Sequence, residues 1–205
     1  MTNIALLKKA NANRWQDMRV TTSLVPVIDK TSRRLVDADA KARYVAVSDT
    51  TGVPWFVIAV IHEREASQSW RANLAQGDPW NTVSVHVPKG RGPFKSWEDA
   101  AVDALASCAP RAAKWTDWTA GGAFTLLEEY NGLGYAARGR PSPYIWASTN
   151  QYVKGKFITD GHYDPNAIDH QLGCAALLSR MAQMDPTIKF ADIDEVEHQL
   201  QAQAA

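Results

Sequence analysis

The apolar run at residues 55–61, WFVIAVI, constrains the fold more than any other segment of the chain. A continuous run of this kind is expected to be buried on all sides, in a helix or in a strand. Its β-branched side chains favour a strand, but Pro54 fits the first turn of a helix, and the polar residues that follow extend the segment past strand length. The sequence therefore predicts a buried helix over residues 54–66, whose carboxyl end reaches the surface at Glu65.

Apolar spacing and capping residues predict further helices along the chain. These helices are expected at residues 3–15, 37–47, 97–107, 119–130 and 165–184, with a weaker one at 192–201. Residues 20–29 are interpreted as extended, with Pro26 interrupting the segment. Residues 82–87 alternate apolar and polar side chains, which predicts a half-buried strand, and residues 134–163 are expected to be irregular. The expected fold class is mainly α (α+β), with one small β segment directly after the buried helix.

Composition and charge narrow the class of function. The chain has 22 basic and 22 acidic residues and no formal net charge, which argues against a nucleic acid or an anionic membrane as partner. The sequence shows neither a secretory leader nor a stretch approaching the roughly 18 apolar residues of a membrane span, so synthesis in the cytoplasm without membrane insertion is expected. Eight tryptophans and six tyrosines suit a carbohydrate-binding protein, since sugars pack on flat rings, although many of these rings are expected in the core.

Metal and redox roles are not expected. Cys108 and Cys174 lie in alanine-rich stretches without CxxC spacing, where small buried thiols are common. The sequence leaves open whether they pair. His62 and Glu63 match the first half of a zinc-binding HExxH motif, but Ala66 occupies the position of the second histidine. No metal or other cofactor is therefore predicted.

Residues 62–67, HEREAS, form the densest cluster of ionisable groups and follow directly on the apolar run. Two interpretations are open. The helix can simply have reached water, or a carboxylate can lie at the mouth of a cleft against an apolar wall. In the second case partial desolvation would raise the pKa of the carboxyl group and keep it protonated as a general acid.

Several segments together resemble a bacterial and phage family of lysozyme-like proteins, in the superfamily of goose-type lysozymes and lytic transglycosylases. These segments are IHEREAS (61–67), NLAQGDP (73–79), VHVP (85–88), EYNGLGY (129–135), PYIW (143–146) and DHQLG (169–173). The resemblance spans residues 55–180. It implies a lysozyme-like catalytic domain at residues 51–205, with the small β segment beside its cleft, and residues 1–50 are interpreted as an N-terminal accessory region packed on it.

The resemblance also implies a catalytic acid. In that superfamily a glutamate near the end of a buried helix, followed closely by serine, protonates the glycosidic oxygen. Glu65 takes this role, with Ser67 just beyond it in the substrate site. Ala66 interrupts the immediate Glu-Ser pair of the superfamily, so Glu63 remains an alternative. The two glutamates lie about 200° apart around a helix, so only one can face a given cleft.

Asp78 is the candidate for a second catalytic carboxylate, because related muramidases place a water-activating aspartate in the corresponding turn. Inverting hydrolysis needs two carboxyl groups roughly 6.5–9.5 Å apart. Thr82 is a weaker candidate for holding the attacking water. Gly77-Asp78-Pro79 is also an ordinary turn in which the aspartate binds its own backbone. If Asp78 is structural, the sugar's own 6-hydroxyl can attack instead and give a 1,6-anhydro product, as in lytic transglycosylases.

The resemblance further implies residues that line the cleft. A Tyr-Asn element corresponds to Tyr130 and Asn131, with Gly132 allowing close approach of the chain, although Asn-Gly is also a good helix C-cap. Aromatic residues in the loops expected to form the cleft are candidates for sugar stacking: Trp70, Trp80, Tyr135, Tyr144 and Trp146. Glu128 and Glu129 are expected to be solvated surface or capping charges.

The expected function is cleavage of the β-1,4 bond between N-acetylmuramic acid and N-acetylglucosamine, with peptidoglycan glycan strands as the partner. The same bond geometry leaves chitin open as a substrate. The missing leader predicts an endolysin of a phage or prophage that reaches the wall through a holin-type pore. The alternative is a non-catalytic relative that binds glycan or docks into a phage or secretion assembly. Both the position of Ala66 and the unassigned residues 1–50 motivate that alternative.

Overall fold

The structure is a computed structural model that describes residues 2–75, 77–159 and 161–191. Within these ranges the chain forms eight α-helices and one two-stranded sheet, which confirms a mainly α class with a small β component. The helices are α1 (Ile4–Asp17), α2 (Val25–Leu35), α3 (Ala38–Thr51), α4 (Trp55–Ala66), α5 (Trp97–Ser107), α6 (Ala120–Tyr130), α7 (Pro143–Trp146) and α8 (Cys174–Met184). The strands are β1 (Lys156–Thr159) and β2 (His162–Asp164).

Side-chain caps fix the starts of several predicted helices. Asn3 accepts a hydrogen bond from the backbone N–H of Leu6 at the start of α1, and Asp37 caps α3 in the same way. Ser96 accepts from the N–H of Asp99 at 3.1 Å, as expected for the start of α5. Each cap satisfies an amide that has no partner inside its helix. The helices predicted at 3–15, 37–47, 97–107 and 119–130 are confirmed, with ends shifted by a few residues.

The central buried helix is also confirmed as α4. Residues 55–62 of this helix are all buried, and the exposed side of its last turn carries Glu65. Among the residues that the structure describes, no single helix has the length and apolarity of a membrane span. In the same described ranges, α3 and α4 taken together pass this test of length and apolarity, but they are bent by 113° at the break between them.

The extended segment predicted at residues 20–29 is wrong. A 3₁₀ turn at Thr22–Leu24 leads directly into α2, and Pro26 is the second residue of that helix. Proline is tolerated there because the first-turn N–H groups have no partner inside the helix, so its missing N–H removes no helical hydrogen bond.

The strand predicted at residues 82–87 is wrong as well. This segment is a loop in which Val83, Val85 and Val87 are exposed and Ser84 is buried. The sheet lies instead within and just after residues 134–163, which were expected to be irregular. Its strands β1 and β2 pair antiparallel, with Phe157 opposite Tyr163.

The last described helix is shorter than the helix predicted at residues 165–184, because α8 begins only at Cys174. At Gly173 a Cβ atom would lie 2.5 Å from the carbonyl oxygens of Ile145 and Ala147, so the chain passes too close to α7 for a side chain there. The residues before Gly173 are held by other bonds: the N–H of Asp169 donates to the hydroxyl of Tyr152, and the carbonyl oxygen of Ala167 accepts from Gly155. The helix predicted at 192–201 lies outside the described residues.

The chain divides into two compact units. Unit one is Met1–Ser32 with Asp117–Ala205, and unit two is Arg33–Thr116. The boundary predicted after residue 50 coincides with neither limit. In unit one, α1 packs along α6 so closely that a Cβ atom on Gly121 would lie 2.6 Å from the carbonyl oxygen of Lys8. In unit two, α3 packs against both α4 and α5.

Candidate functional site

The end of α4 in unit two places Glu65 in the last turn of the helix, where its side chain is exposed. Ser67 and Gln68 follow with left-handed backbone, at φ +50° and +57°. Residues other than glycine rarely adopt this conformation, and each such residue costs of order 1–3 kcal/mol. Two in succession therefore mark a turn that the surrounding structure has to hold in place.

A buried network holds this turn. His62 lies 3.0 Å through Nδ1 from the hydroxyl of Tyr44 and 3.0 Å through Nε2 from the carbonyl oxygen of Ser69. The side-chain amide of Gln68 donates to the carbonyl oxygen of Arg34 at 2.9 Å and to the hydroxyl of Tyr44 at 3.3 Å. Burial lowers the pKa of His62 to about 4, so its imidazole is neutral near pH 7. The residues on both sides of Glu65 are thus tied to α2 and α3.

Aromatic side chains pack beside the same turn after α4. The ring of Trp70 lies 4.7 Å from that of His62 and 4.6 Å from that of Trp97, measured between centroids. The guanidinium of Arg43 stacks 3.9 Å over the Trp70 ring and pairs with Glu98 at 2.5 Å. Trp70, predicted to stack on sugar, is therefore half-buried and partly covered by protein, although it also lines a cavity of about 480 Å³.

Glu63, the alternative acid, is held in an ion pair. The guanidinium of Arg34 lies 3.1 Å from its carboxylate, which is half-buried. Burial raises the pKa of Glu63, while the positive charge and hydrogen bond of Arg34 oppose that rise. The two glutamates of this helix end therefore differ in environment. Glu63 is partly enclosed beside a cation, whereas Glu65 is exposed and is not enclosed against an apolar wall as the general-acid interpretation expected.

Asp78 organises the turn in which it lies. Its carboxylate accepts hydrogen bonds from the backbone N–H groups of Val85 and His86, both at 3.0 Å, and lies 2.6 Å from Nδ1 of His86. These bonds to His86 and Val85 lower the pKa of Asp78, so it is ionised near neutral pH. Thr82, predicted to hold a water, donates to the carbonyl oxygen of Pro79 at 3.0 Å. Both side chains therefore serve the backbone of the turn.

Replacing Asp78 with asparagine is expected to lower the melting temperature by a few degrees but to reduce glycan cleavage by less than about tenfold. The reason is that Asp78 binds backbone, whereas a water-activating base contributes at least about 100-fold. Turnover of peptidoglycan and thermal unfolding would be measured on the same preparation. Asp49→Asn, at an exposed aspartate of the same unit, is the matched control. A loss of 100-fold or more in the Asp78 variant alone would assign catalysis to this carboxylate.

In unit one, the Tyr-Asn element forms the end of α6. The helix ends at Tyr130, and Asn131 is its exposed C-cap. Gly132 has φ +88°, and no described atom lies within 4 Å of the position of a Cβ atom there. No part of the described protein chain therefore approaches Gly132 closely, and its expected role in the substrate site stays a prediction. This glycine provides the left-handed backbone that ends the helix.

The aromatic residues of unit one that were predicted to stack on sugar are buried. Trp146 has no exposed surface and packs on Phe124, with 5.2 Å between ring centroids. Tyr135 accepts a hydrogen bond from the N–H of Phe157 at 3.0 Å and packs edge-on against that ring. Tyr144 is buried too. Sugar stacking needs an accessible ring face, so this prediction is wrong for all three residues as the structure places them.

Glu128 is a buried titratable residue that the sequence did not reveal. It was expected to be a surface charge, but its side chain is only 1% exposed, and Oε1 has no hydrogen-bond partner in the described part of the chain. Burial raises the pKa of Glu128 to about 7, opposed by a hydrogen bond from Asn11, the charge of Arg14 and the N–H of Ala136. Near neutral pH this carboxyl group is therefore present in both protonation states.

The predicted site residues are divided between the two units. Unit two holds Glu65, Ser67, Asp78 and Thr82; unit one holds Tyr130, Asn131, Gly132, Tyr135, Tyr144 and Trp146. Cys108 and Cys174 are both buried and do not form a disulfide with each other. The described residues contain no group of three or more histidine, cysteine, aspartate or glutamate side chains placed to hold a metal ion. Comparison with protein-family models, curated proteins and solved structures gave no match.

Proposed function

We propose that the protein is a lysozyme-like glycosidase that cleaves the β-1,4 bond of peptidoglycan between N-acetylmuramic acid and N-acetylglucosamine, with Glu65 as general acid. The observation that supports this most is the position of Glu65 at the exposed end of a helix that is otherwise buried. Because this carboxyl group is accessible, the glycosidic oxygen of a bound strand can come within hydrogen-bond reach of it, which is the geometric requirement for a general acid.

The fixed turn after Glu65 supports the same proposal. General acid catalysis requires the carboxyl group to remain within hydrogen-bond reach of the glycosidic oxygen. The left-handed residues Ser67 and Gln68 and the buried imidazole of His62 leave the backbone next to Glu65 little freedom. Half-buried Trp80, whose indole N–H donates to the carbonyl oxygen of Trp70 at 2.9 Å, supplies an aromatic ring in the same unit for contact with sugar.

Of the two chemical routes, transglycosylation is favoured, because the carboxylate of Asp78 is already hydrogen-bonded within its turn. In this route Glu65 gives its proton to the glycosidic oxygen, and the bond from that oxygen to C1 of the muramic acid breaks. The 6-hydroxyl oxygen of the same sugar then forms a bond to C1 and passes its proton back to Glu65. A single carboxyl group serves as acid and then as base, so no second carboxylate is needed. Asp78, already engaged with His86 and Val85, is not required.

The test is digestion of purified peptidoglycan followed by mass spectrometry of the soluble fragments. We expect muropeptides ending in 1,6-anhydro-N-acetylmuramic acid, which are lighter by one water than the products of hydrolysis. Reducing ends in their place would support glycosidase activity by hydrolysis and would overturn the transglycosylase route. Glycan that binds and quenches tryptophan fluorescence without any new ends would overturn the enzyme proposal and favour a binding protein. Chitin oligomers in a parallel digestion would establish whether the muramic acid is needed.

A further inference from the structure

A groove of about 780 Å³ runs along one face of α1 in unit one. The helix lines it with Asn3, Leu6, Leu7, Ala10 and Arg14. Residues with this spacing lie on one side of a helix. With a rise of about 1.5 Å per residue, the stretch from the first to the last of them is about 16 Å long. The groove is therefore elongated, and it is distinct from the end of α4 in unit two.

The opposite wall of this α1 groove is the segment that follows α6. It contributes small and apolar side chains, among them Leu133, Ala136 and Ala137, together with Arg140. Leu6 on the helix side is 65% exposed. The groove is thus apolar along its middle, and its surface remains accessible to a ligand among the residues that the structure describes.

The charged side chains that line the groove are basic. Arg14 and Arg140 line it, and no acidic side chain is among its described lining residues. Two neighbours position the Arg14 side chain. Its guanidinium donates to Oδ1 of Asn11 at 3.3 Å and lies close enough to Glu128 to interact with its charge. The Arg14 side chain is half-buried, and burial lowers the pKa of its guanidinium. A half-buried cation is less screened by water than an exposed one and interacts more strongly with an anion that reaches it.

We propose that the α1 groove binds the stem peptide of peptidoglycan, the short alanine-containing peptide with free carboxylates that muramic acid carries. This inference rests on the proposed function. An extended peptide of five residues spans about 16 Å, which equals the length of the groove. Its methyl groups fit walls of leucine and alanine, and its carboxylates can pair with Arg14 and Arg140.

The test is isothermal titration of the whole protein with the free pentapeptide L-Ala-γ-D-Glu-L-Lys-D-Ala-D-Ala, which contains no sugar. We expect measurable binding, weakened about tenfold or more by Arg140→Gln, because one charge-assisted hydrogen bond is worth about that factor. Leu6→Glu is expected to weaken binding similarly, since it places a negative charge in the groove. Leu6 is exposed and lies in the first turn of α1, where an acidic residue does not harm the helix.

Lys9→Gln is the matched control, because Lys9 is an exposed cation of the same helix that does not line the groove. We expect this variant to bind the peptide like the parent, and the peptide with its carboxylates amidated to bind at least about tenfold more weakly. Equal binding by the Arg140 variant, no binding by the parent, or binding of decanoate in place of the peptide would overturn the inference. Glycan cleavage measured on the same samples separates the two proposals. Cleavage without peptide binding contradicts only this one, and peptide binding without cleavage contradicts only the proposed function.

Discussion

Replacing Glu65 with glutamine is expected to reduce peptidoglycan cleavage roughly a thousandfold, within the range that a general acid contributes. Glutamine keeps the size and polarity of the side chain but cannot transfer a proton to the leaving oxygen. Because Glu65 is exposed, the free energy of unfolding should change by no more than about 0.5 kcal/mol. Release of soluble muropeptides and urea unfolding, measured on the same preparation, check both statements.

Glu63→Gln is the matched control for this experiment. It removes one charge from the same helix end, two residues away, and it disrupts the ion pair with Arg34. We expect this variant to keep its activity to within a few-fold, with a loss of stability of at most about 1 kcal/mol, as for other solvent-accessible ion pairs. The opposite result, an inactive Glu63 variant beside an active Glu65 variant, would move the acid role to Glu63.

Replacing Glu128 with glutamine is expected to stabilise the protein at pH 8 by up to about 3 kcal/mol, since each unit of pKa difference corresponds to about 1.4 kcal/mol. The pKa of Glu128 rises from an ordinary value of 4.5 to about 7 in the folded protein. The folded state thus holds the proton more tightly than the unfolded state. The stability that the neutral carboxyl group contributes is complete below pH 4.5 and is lost as the pH rises to about 7.

Glutamine at position 128 stays neutral, so its variant should not lose stability across this range. Urea unfolding at pH 5 and pH 8 measures the difference between the two proteins. Glu129→Gln is the control, because Glu129 is the next residue of α6 and is less buried, with a pKa that burial also raises. Arg14 is the charged group that acts on Glu128. A parent protein whose stability changes with pH in the same way as that of the Glu128 variant would contradict the prediction.

The helices that the sequence predicted correctly are those whose signals are local. The apolar run before Glu65 has no stable alternative to burial, and Ser96 followed by acidic residues is a complete start signal for α5. By contrast, the alternation at residues 82–87 has the period of a strand, but it does not show which of the two alternating sets of side chains is buried. In the structure the valines of that segment face solvent, because its backbone is held by the carboxylate of Asp78.

Side-chain roles were harder to predict than helices. The sequence does not show that α1 covers the face of α6 that carries Glu128, because this contact joins residues more than a hundred positions apart, as in the 3.2 Å hydrogen bond from Asn11 to Thr125. Burial of Tyr135 and Trp146 depends in the same way on Phe157 and Phe124. An aromatic residue in a loop has the same local sequence signals whether its ring is buried or accessible.

The division of the chain has a consequence for folding during synthesis. Unit two is one continuous stretch, whereas α1 of unit one packs on α6, which leaves the ribosome only after the whole of unit two. Helix α1 is therefore synthesised before its partner helix. Until Thr125 and Glu128 are synthesised, the polar side chains of Asn11 and Arg14 can be hydrated by solvent. Transiently exposed apolar surface promotes aggregation of nascent chains, so the polar residues on this face of α1 are expected to reduce it.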